Sequence, residues 1–355
     1  MIRTVPVPAV DRDDLPRVSV VVPCYNYARY LRACVESILA QEGVDVDVTI
    51  VDDASTDDSV AIATELAADP RVTLIRHTEN RGHIQTFNDA LDAAGADLVV
   101  KMDADDIVPP GALARSARLM RAYPTVSLVY GLPETFETDV PAADPASVTW
   151  SVWAGREWLG HLADRAHNVI MQPEVMMRRS ALREVGGHRA DLPEASDLNL
   201  WLRLASVGSV ARVNGPVQGF YRVHAQSMQR TIHAGFLSDL RGRVAAFEAF
   251  FDFDAARNGE DAQLRQRSRR ALAADAVRLA QRALDRRAET EPIAEYLAVA
   301  ESLDPSVVSS PAWRDVAERR CPRISPVRRL AAGAGARVRK AGDSLQWRRW
   351  RRTGL

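Results

Sequence analysis

The feature that most restricts the fold is an alternation, over residues 17–102, of short β-branched runs with helical repeats. Arg17-Val-Ser-Val-Val-Val22 is an apolar run that stops at Pro23 and reads as a buried strand. Leu31, Cys34, Val35, Ile38 and Leu39 follow at i, i+3, i+4, i+7 and i+8, the spacing of a helix with one apolar stripe. Val46 to Val51 predicts a second strand ending at Asp52-Asp53, and Ser55-Thr-Asp-Asp58 offers cap residues for a helix to about Ala68. A strand over Arg71 to Arg76, a helix over Ile84 to Ala94 and a strand over Asp97 to Met102 complete a βαβαβ rhythm. That rhythm implies an α/β fold with a mostly parallel, doubly wound, Rossmann-like sheet, whose ligands sit beyond the carboxyl ends of the strands. Those ends carry Tyr25-Asn26, Asp52-Asp53 and Asp103-Ala-Asp-Asp106, so polar residues gather where a ligand is expected.

Beyond about Thr135 a Pro-, Ala- and Asp-rich stretch from Asp139 to Ser147 reads as a surface loop or a small insertion, and regular structure resumes near Trp150. Past Gly235 the chain turns helical and rich in Ala and Arg, with Phe247, Phe250, Phe251, Leu272, Val277, Leu279 and Leu284 as apolar positions. The expected organisation is an N-terminal extension (1–16), a catalytic domain (17–234), a helical appendage (235–317) and a basic tail (318–355). Formal charge is nearly balanced, 46 basic against 47 acidic residues, yet Arg319 to Leu355 hold 12 Lys or Arg and the single acid Asp343. Three cysteines without metal-ligand spacing, and an N-terminus without an apolar leader, point to a cytoplasmic protein.

Asp103-Ala104-Asp105-Asp106 carries the strongest chemical signal. Grouped carboxylates repel one another and are costly to bury unless a cation or hydrogen bonds compensate them. Alone, the group reads more readily as a solvated acidic turn than as a metal site. A second acidic pair, Asp52-Asp53, ends another strand, and the two sets together suit a nucleotide-sugar pocket: one holds a divalent ion on a diphosphate, the other accepts from base and ribose.

With these motifs in place the chain resembles a family 2 inverting glycosyltransferase of the GT-A fold. The resemblance rests on Val18-Ser-Val-Val-Val-Pro-Cys-Tyr-Asn26, Val51-Asp-Asp-Ala-Ser-Thr-Asp-Asp-Ser59, Asn80-Arg-Gly82, Asp97 to Asp106, Pro173-Glu-Val-Met-Met-Arg178, Ser196-Asp-Leu-Asn-Leu-Trp-Leu-Arg-Leu-Ala205 and Tyr221-Arg-Val-His224. It implies that Pro23, Tyr25, Asn26, Asp53, Ser55, Arg81, Gly82 and Asp103 form the nucleotide site, and that Asp105 and His224 contact a divalent metal, Mn or Mg. Imidazole would tilt the choice to manganese. It also implies that Asp197 is the catalytic base, although Ser196 stands where most relatives place a second acid and Asn199 where another Asp is common. Taken singly, Asp197 also reads as a first-turn helix acid, and His224 as a satisfied histidine at a strand end. Arg222 and Ser227 are further candidates near the diphosphate, and Trp201 reads as core.

The expected partners are a nucleotide-sugar donor, UDP-linked by preference, and a glycan, lipid-linked or small-molecule acceptor in cell-surface polysaccharide or glycoconjugate synthesis. The basic tail with Trp347-Arg-Arg-Trp-Arg-Arg352 has two readings, a peripheral contact at the inner membrane face or a solvated, disordered end. Nucleic acid is not an expected partner, because the remainder is acidic and no binding motif occurs. Two other functions compete. A nucleotidyltransferase would want a Gly-rich basic loop after the first strand, which Pro23-Cys-Tyr-Asn-Tyr27 lacks; a non-catalytic nucleotide-sugar-binding protein would share the fold.

Overall fold

The computed structural model describes residues 15–142, 147–224, 235–286, 288, 291–320 and 326–355, of which 326–334 as backbone only. The chain divides into two compact units, one of residues 1–159 with 170–227 and one of 160–169 with 228–355.

The first unit holds β1 (Arg17–Cys24), α1 (Ala28–Leu39), β2 (Asp45–Asp52), α2 (Ser59–Leu66), β3 (Val72–Arg76), α3 (His83–Ala93), β4 (Leu98–Lys101), α4 (Ala112–Ala122), β5 (Val126–Phe136) and β6 (Thr149–Trp153). After α5 (Gly155–Arg165), whose last turns count with the second unit, come β7 (Met176–Arg178), α6 (Arg179–Val185), α7 (Ser196–Val207) and β8 (Ser209–Arg222). One eight-stranded sheet runs in the order β3-β2-β1-β4-β7-β5-β8-β6. Strand β1 pairs in parallel with β2 and β4, β2 with β3, and β5 with β8, whereas β7 is antiparallel to both β4 and β5 and β6 is antiparallel to β8. Two reversals through β7 leave β5 and β8 running the same way as β1, β2 and β4. Their carboxyl ends therefore reach a single edge.

The predicted stripe on α1 is the one that packs. Leu31, Cys34, Val35 and Ile38 are fully buried against Val18, Val20 and Val22 of β1. Burying each such aliphatic side chain stabilises the fold by about 1.5–3 kcal/mol. Helix α2 starts at Ser59 with Asp58, the last of the expected cap residues, at its N-cap position, and residues 53–58 are tied to the first strand's loop. Asp57 accepts from the backbone N–H of Ala28 (3.1 Å) and of Ser59 (2.9 Å), and the Tyr27 N–H donates to Ser59 Oγ (3.0 Å).

The second unit is helical: α8 (Phe236–Asn258), α9 (Ala262–Arg286), α10 (Ile293–Leu303), α11 (Pro311–Arg319) and α12 (Pro326–Thr353). Phe247, Phe250, Leu272, Ala276, Ala280, Tyr296 and Val316 are buried in it. Inside lies Asp275, 1% exposed, which meets Arg243 (3.0 Å), Arg278 (2.9 Å) and His167 (3.2 Å). The basic tail is a helix rather than a solvated strand of chain over this range, and Trp350 is buried with its Nε1–H donating to the Val169 carbonyl at 2.9 Å. Cys321 and Ser227 lie outside the described residues. Among the described residues no helix is long and apolar enough to cross a membrane.

Candidate active site at the carboxyl edge of the sheet

Two loops knit together beyond β1 and β2. Asn26 and Ala54 both adopt φ of 59°, a left-handed conformation that turns each chain sharply out of its strand. The Asn26 N–H donates to Ser55 Oγ (3.0 Å), and Asn26 Oδ1 accepts from the Thr56 N–H (2.8 Å) and hydroxyl (3.2 Å). Pro23 is half-buried beneath them, and Tyr25 projects into solvent at the edge, 43% exposed.

Asp53 is occupied within the protein. Its oxygens accept from the backbone N–H groups of Arg81 (2.8 Å) and Gly82 (2.9 Å) and contact His77 Nδ1 (2.8 Å). Burial pushes this carboxyl up, but the bonds from His77, Arg81, Thr86 and Gly82 outweigh it and hold the group below the usual carboxylate range. His77 Nε2 meets Asp89 at 3.1 Å, and Asp89 also takes Arg81 Nη1 at 2.7 Å. Gly82 has a φ of 82°, which a side chain would resist, so the 77–82 loop is fixed both by its glycine and by Asp53.

The acidic segment after β4 is the centre of the site. Lys101 Nζ meets Asp103 Oδ1 at 2.6 Å. Ile107 and Phe220 exchange backbone hydrogen bonds (3.1 and 2.9 Å), and this isolated bridge clamps the segment to β8. As a result Arg222 lies against it: its N–H donates to Asp106 Oδ1 (2.8 Å), its Nε to the Asp105 carbonyl (2.8 Å), and its guanidinium sits over the rings of Phe136 (4.3 Å) and Tyr30 (4.7 Å). His224 follows, with Nε2 at 2.9 Å from Asp105 Oδ2 and its ring 5.2 Å from that of Tyr30. Asp106 is fully buried and its Oδ2 has no hydrogen-bond partner. Burial, then the charges of Asp105 and Asp103, push its carboxyl well up; burial and then Asp103 push Asp105 up against the pull of His224. Burial and these same carboxylates also raise the phenols of Tyr27 and Tyr221. Among the described residues no group of three or more His, Cys, Asp or Glu side chains is arranged to hold a metal ion.

Asp197 stands half-exposed in the first turn of α7. Ser196 beside it turns inward, its Oγ 2.9 Å from Nδ1 of the buried His188. His188 is locked on the other side, its backbone exchanging bonds with Asn88 of α3 (2.9 Å each), its ring edge-on to Phe87 at 4.4 Å. A Cβ at Gly187 would lie 2.1 Å from Asn88 Oδ1, so this close approach needs glycine. Asn199 accepts from Nε of the buried Arg203 (2.8 Å), whose other nitrogens bond the carbonyls of Val185, Gly186 and Gly187. Lys101 Nζ lies 5.9 Å from the Phe87 ring, so Lys101, Phe87, His188 and Ser196 make a contiguous line from the acidic segment to the start of α7.

The structure thus brings Asp103, Asp105 and His224 together, and separately Asp53 with Arg81 and Gly82, and Asn26 with Ser55. Lys101, His77 and His188 escaped the sequence reading. Lys101 had left a signal, a single charge closing the apolar run Leu98-Val-Val; the two histidines had none, since each takes its partners from distant segments.

A largely parallel sheet with acids at one edge is the architecture of GT-A glycosyltransferases, and the chain is similar in fold to a solved structure of that class. The mannosyltransferase PcManGT from Pyrobaculum calidifontis, solved in complex with GDP-Man and Mn2+, matches with a TM-score of 0.52 at 22% identity, covering 94% of this chain and 90% of that one. The model of glycosyl transferase family 2 matches residues 19–186. The chain is 31% identical over 234 residues to an uncharacterized protein of Mycobacterium tuberculosis, covering 61% of this chain and 70% of the relative. It is 42% identical over 108 residues to the succinoglycan biosynthesis protein ExoO of Rhizobium meliloti, covering 30% of each. It spans between 28% and 36% of the length of this and two further curated relatives. The chain belongs to glycosyl transferase family 2.

Proposed function

We propose that the protein is an inverting glycosyltransferase that moves a sugar from a nucleotide-diphosphate donor, UDP-linked by preference, to a hydroxyl acceptor in cell-surface polysaccharide or glycoconjugate synthesis. The observation that carries the reading is the pair of buried Asp105 and half-buried His224, 2.9 Å apart beside Asp103 at the edge of the sheet where ligands are expected. ExoO, a succinoglycan biosynthesis protein by name, supports the polysaccharide setting, and a neighbour holding GDP-Man keeps GDP-linked donors in any test panel.

Asn26, Ser55, Tyr25 and Pro23 would border the nucleoside. Asp53 would serve it by fixing Arg81 and Gly82, whose loop closes the same edge. The residues fit a divalent ion: a carboxylate that burial and Asp103 drive towards protonation gains from a cation, and an imidazole nitrogen adjoins it. Such an ion, when bound, neutralises charge on the departing diphosphate. Asp197 would accept the acceptor's hydroxyl proton as that oxygen forms its bond to the anomeric carbon from the face opposite the leaving group. The carbon–oxygen bond to the diphosphate breaks and its electron pair leaves with the nucleotide.

The test is hydrolysis of a panel of UDP-, GDP- and dTDP-sugars by the purified protein with Mn2+, Mg2+ or EDTA. The reading expects metal-dependent turnover of one donor class. Absence of donor binding in every condition would leave a non-catalytic relative of the fold.

A further inference from the structure

Helix α12 has two faces of different chemistry. On one, Arg339 bonds both oxygens of Asp285 (2.9 and 2.7 Å), Asp343 accepts from Arg282 (2.6 Å), and Trp350 reaches the Val169 carbonyl. These positions are four or seven residues apart, so they share one side of the helix. The other side carries Val338, Ala341 and Leu345, with Val338 72% and Leu345 65% exposed. Arg337 and Arg348 border this stripe on one flank and Arg349 on the other, all exposed, and the only acid on the helix, Asp343, is turned inward to Arg282.

We infer that this outward face of α12 is a docking surface for an anionic lipid bilayer. Val338 and Leu345 enter the headgroup boundary, and Arg337, Arg348 and Arg349 meet lipid phosphates. Charge complementarity selects the occupant. A stripe framed by cations is satisfied by a surface that is apolar within and anionic at its rim. A second copy docking on the same stripe would set arginine against arginine. The two tryptophans differ: Trp350 is 7% exposed and ties the helix to its own unit through the Val169 carbonyl, whereas Trp347, 54% exposed, stacks on it at 4.7 Å and remains open to solvent. The inference is independent of the transferase reading, because vesicle binding needs neither donor nor acceptor.

The test is sedimentation of the full chain with phosphatidylcholine vesicles, and with vesicles containing about a third phosphatidylglycerol. Binding to the anionic vesicles should be at least about tenfold stronger and should weaken in high salt. Val338→Glu with Leu345→Glu, and separately Arg348→Gln with Arg349→Gln, should each reduce it to the neutral-vesicle level. All four positions are exposed, so circular dichroism should be unchanged. Equal binding to both vesicle types, or undiminished binding by either double variant, would overturn the inference. So would a dimer in gel filtration that Leu345→Glu converts to monomer without altering vesicle binding, which would make the face a contact between copies.

Discussion

Asp105 and Asp106 show how one side chain can be costly for the fold and useful to the site. Each has its ionised form disfavoured by burial and by a neighbouring carboxylate, and Asp106 leaves an oxygen with no partner. A cation bound beside Asp105 relieves that cost, so binding should appear as stability. Mn2+ at about a hundred times its Kd should stabilise the protein by about 2.7 kcal/mol, read as a rise in melting temperature. Asp105→Ala should abolish the rise; an undiminished rise would place the ion elsewhere. Glu174 offers a residue-scale test of pH dependence. It is buried, one oxygen accepts from the Met171 N–H (2.8 Å), the other has no partner, and burial pushes its carboxyl up to about 8. A raised carboxyl adds stability that is complete below its unfolded value of 4.5 and is lost as pH rises through about 8. Urea unfolding from pH 5 to 9 should therefore show a decline in the native chain, on the order of a few kcal/mol, that Glu174→Gln lacks.

At the scale of elements, legibility followed the range of the interactions. Helix α1 and the strands β1, β2 and β4 were readable because their signals are local: β-branched runs, a stripe at helical spacing, acids at strand ends. The antiparallel insertion of β7 between β4 and β5 was not, since Met176-Met-Arg178 is too short to show a period and its direction is fixed by two distant partners. The Ile107–Phe220 bridge, which brings His224 to Asp105, joins residues over a hundred positions apart. Asp197 is proposed as the base through family resemblance alone, since a first-turn acid has no distinctive local pattern. The start of α5 supplies an element-scale prediction. A Cβ at Gly155 would lie 1.8 Å from the Ala205 carbonyl and 2.3 Å from that of Gly208, both backbone atoms that cannot swing aside. Gly155→Ala should cost more than about 3 kcal/mol in denaturant unfolding, at or beyond the usual upper range for overpacking; a cost below 1 kcal/mol would show that the junction yields.

At the scale of the whole molecule, a sheet unit carries the candidate chemistry and a helical unit carries an interior ion cluster and the basic helix. Residues 160–169 join the helical unit although they lie well before it in sequence, because Ala166 and His167 meet Arg243 and Asp275. Asp275 is held far below the usual carboxylate range: burial opposes ionisation, and His167, Arg243 and Arg278 more than reverse it. Its contribution is present above the unfolded value of 3.8 and lost as pH falls through the folded one. Asp275→Ala removes the buried acid shared by Arg243, Arg278 and His167, while Arg243 keeps Asp239, and should cost about 3 kcal/mol in urea unfolding at neutral pH; an unchanged midpoint would remove the cluster from the account of that unit. The central claim is the division of labour between Asp105 and Asp197. Its most direct test is calorimetric titration of a turned-over donor with Mn2+ into native, Asp105→Ala and Asp197→Asn protein, beside turnover measured on the same samples. Asp197→Asn should bind donor with native affinity and lose roughly 10²–10⁴-fold in turnover, while Asp105→Ala loses binding and turnover together. Native turnover by Asp197→Asn, or native metal-dependent binding by Asp105→Ala, would contradict it.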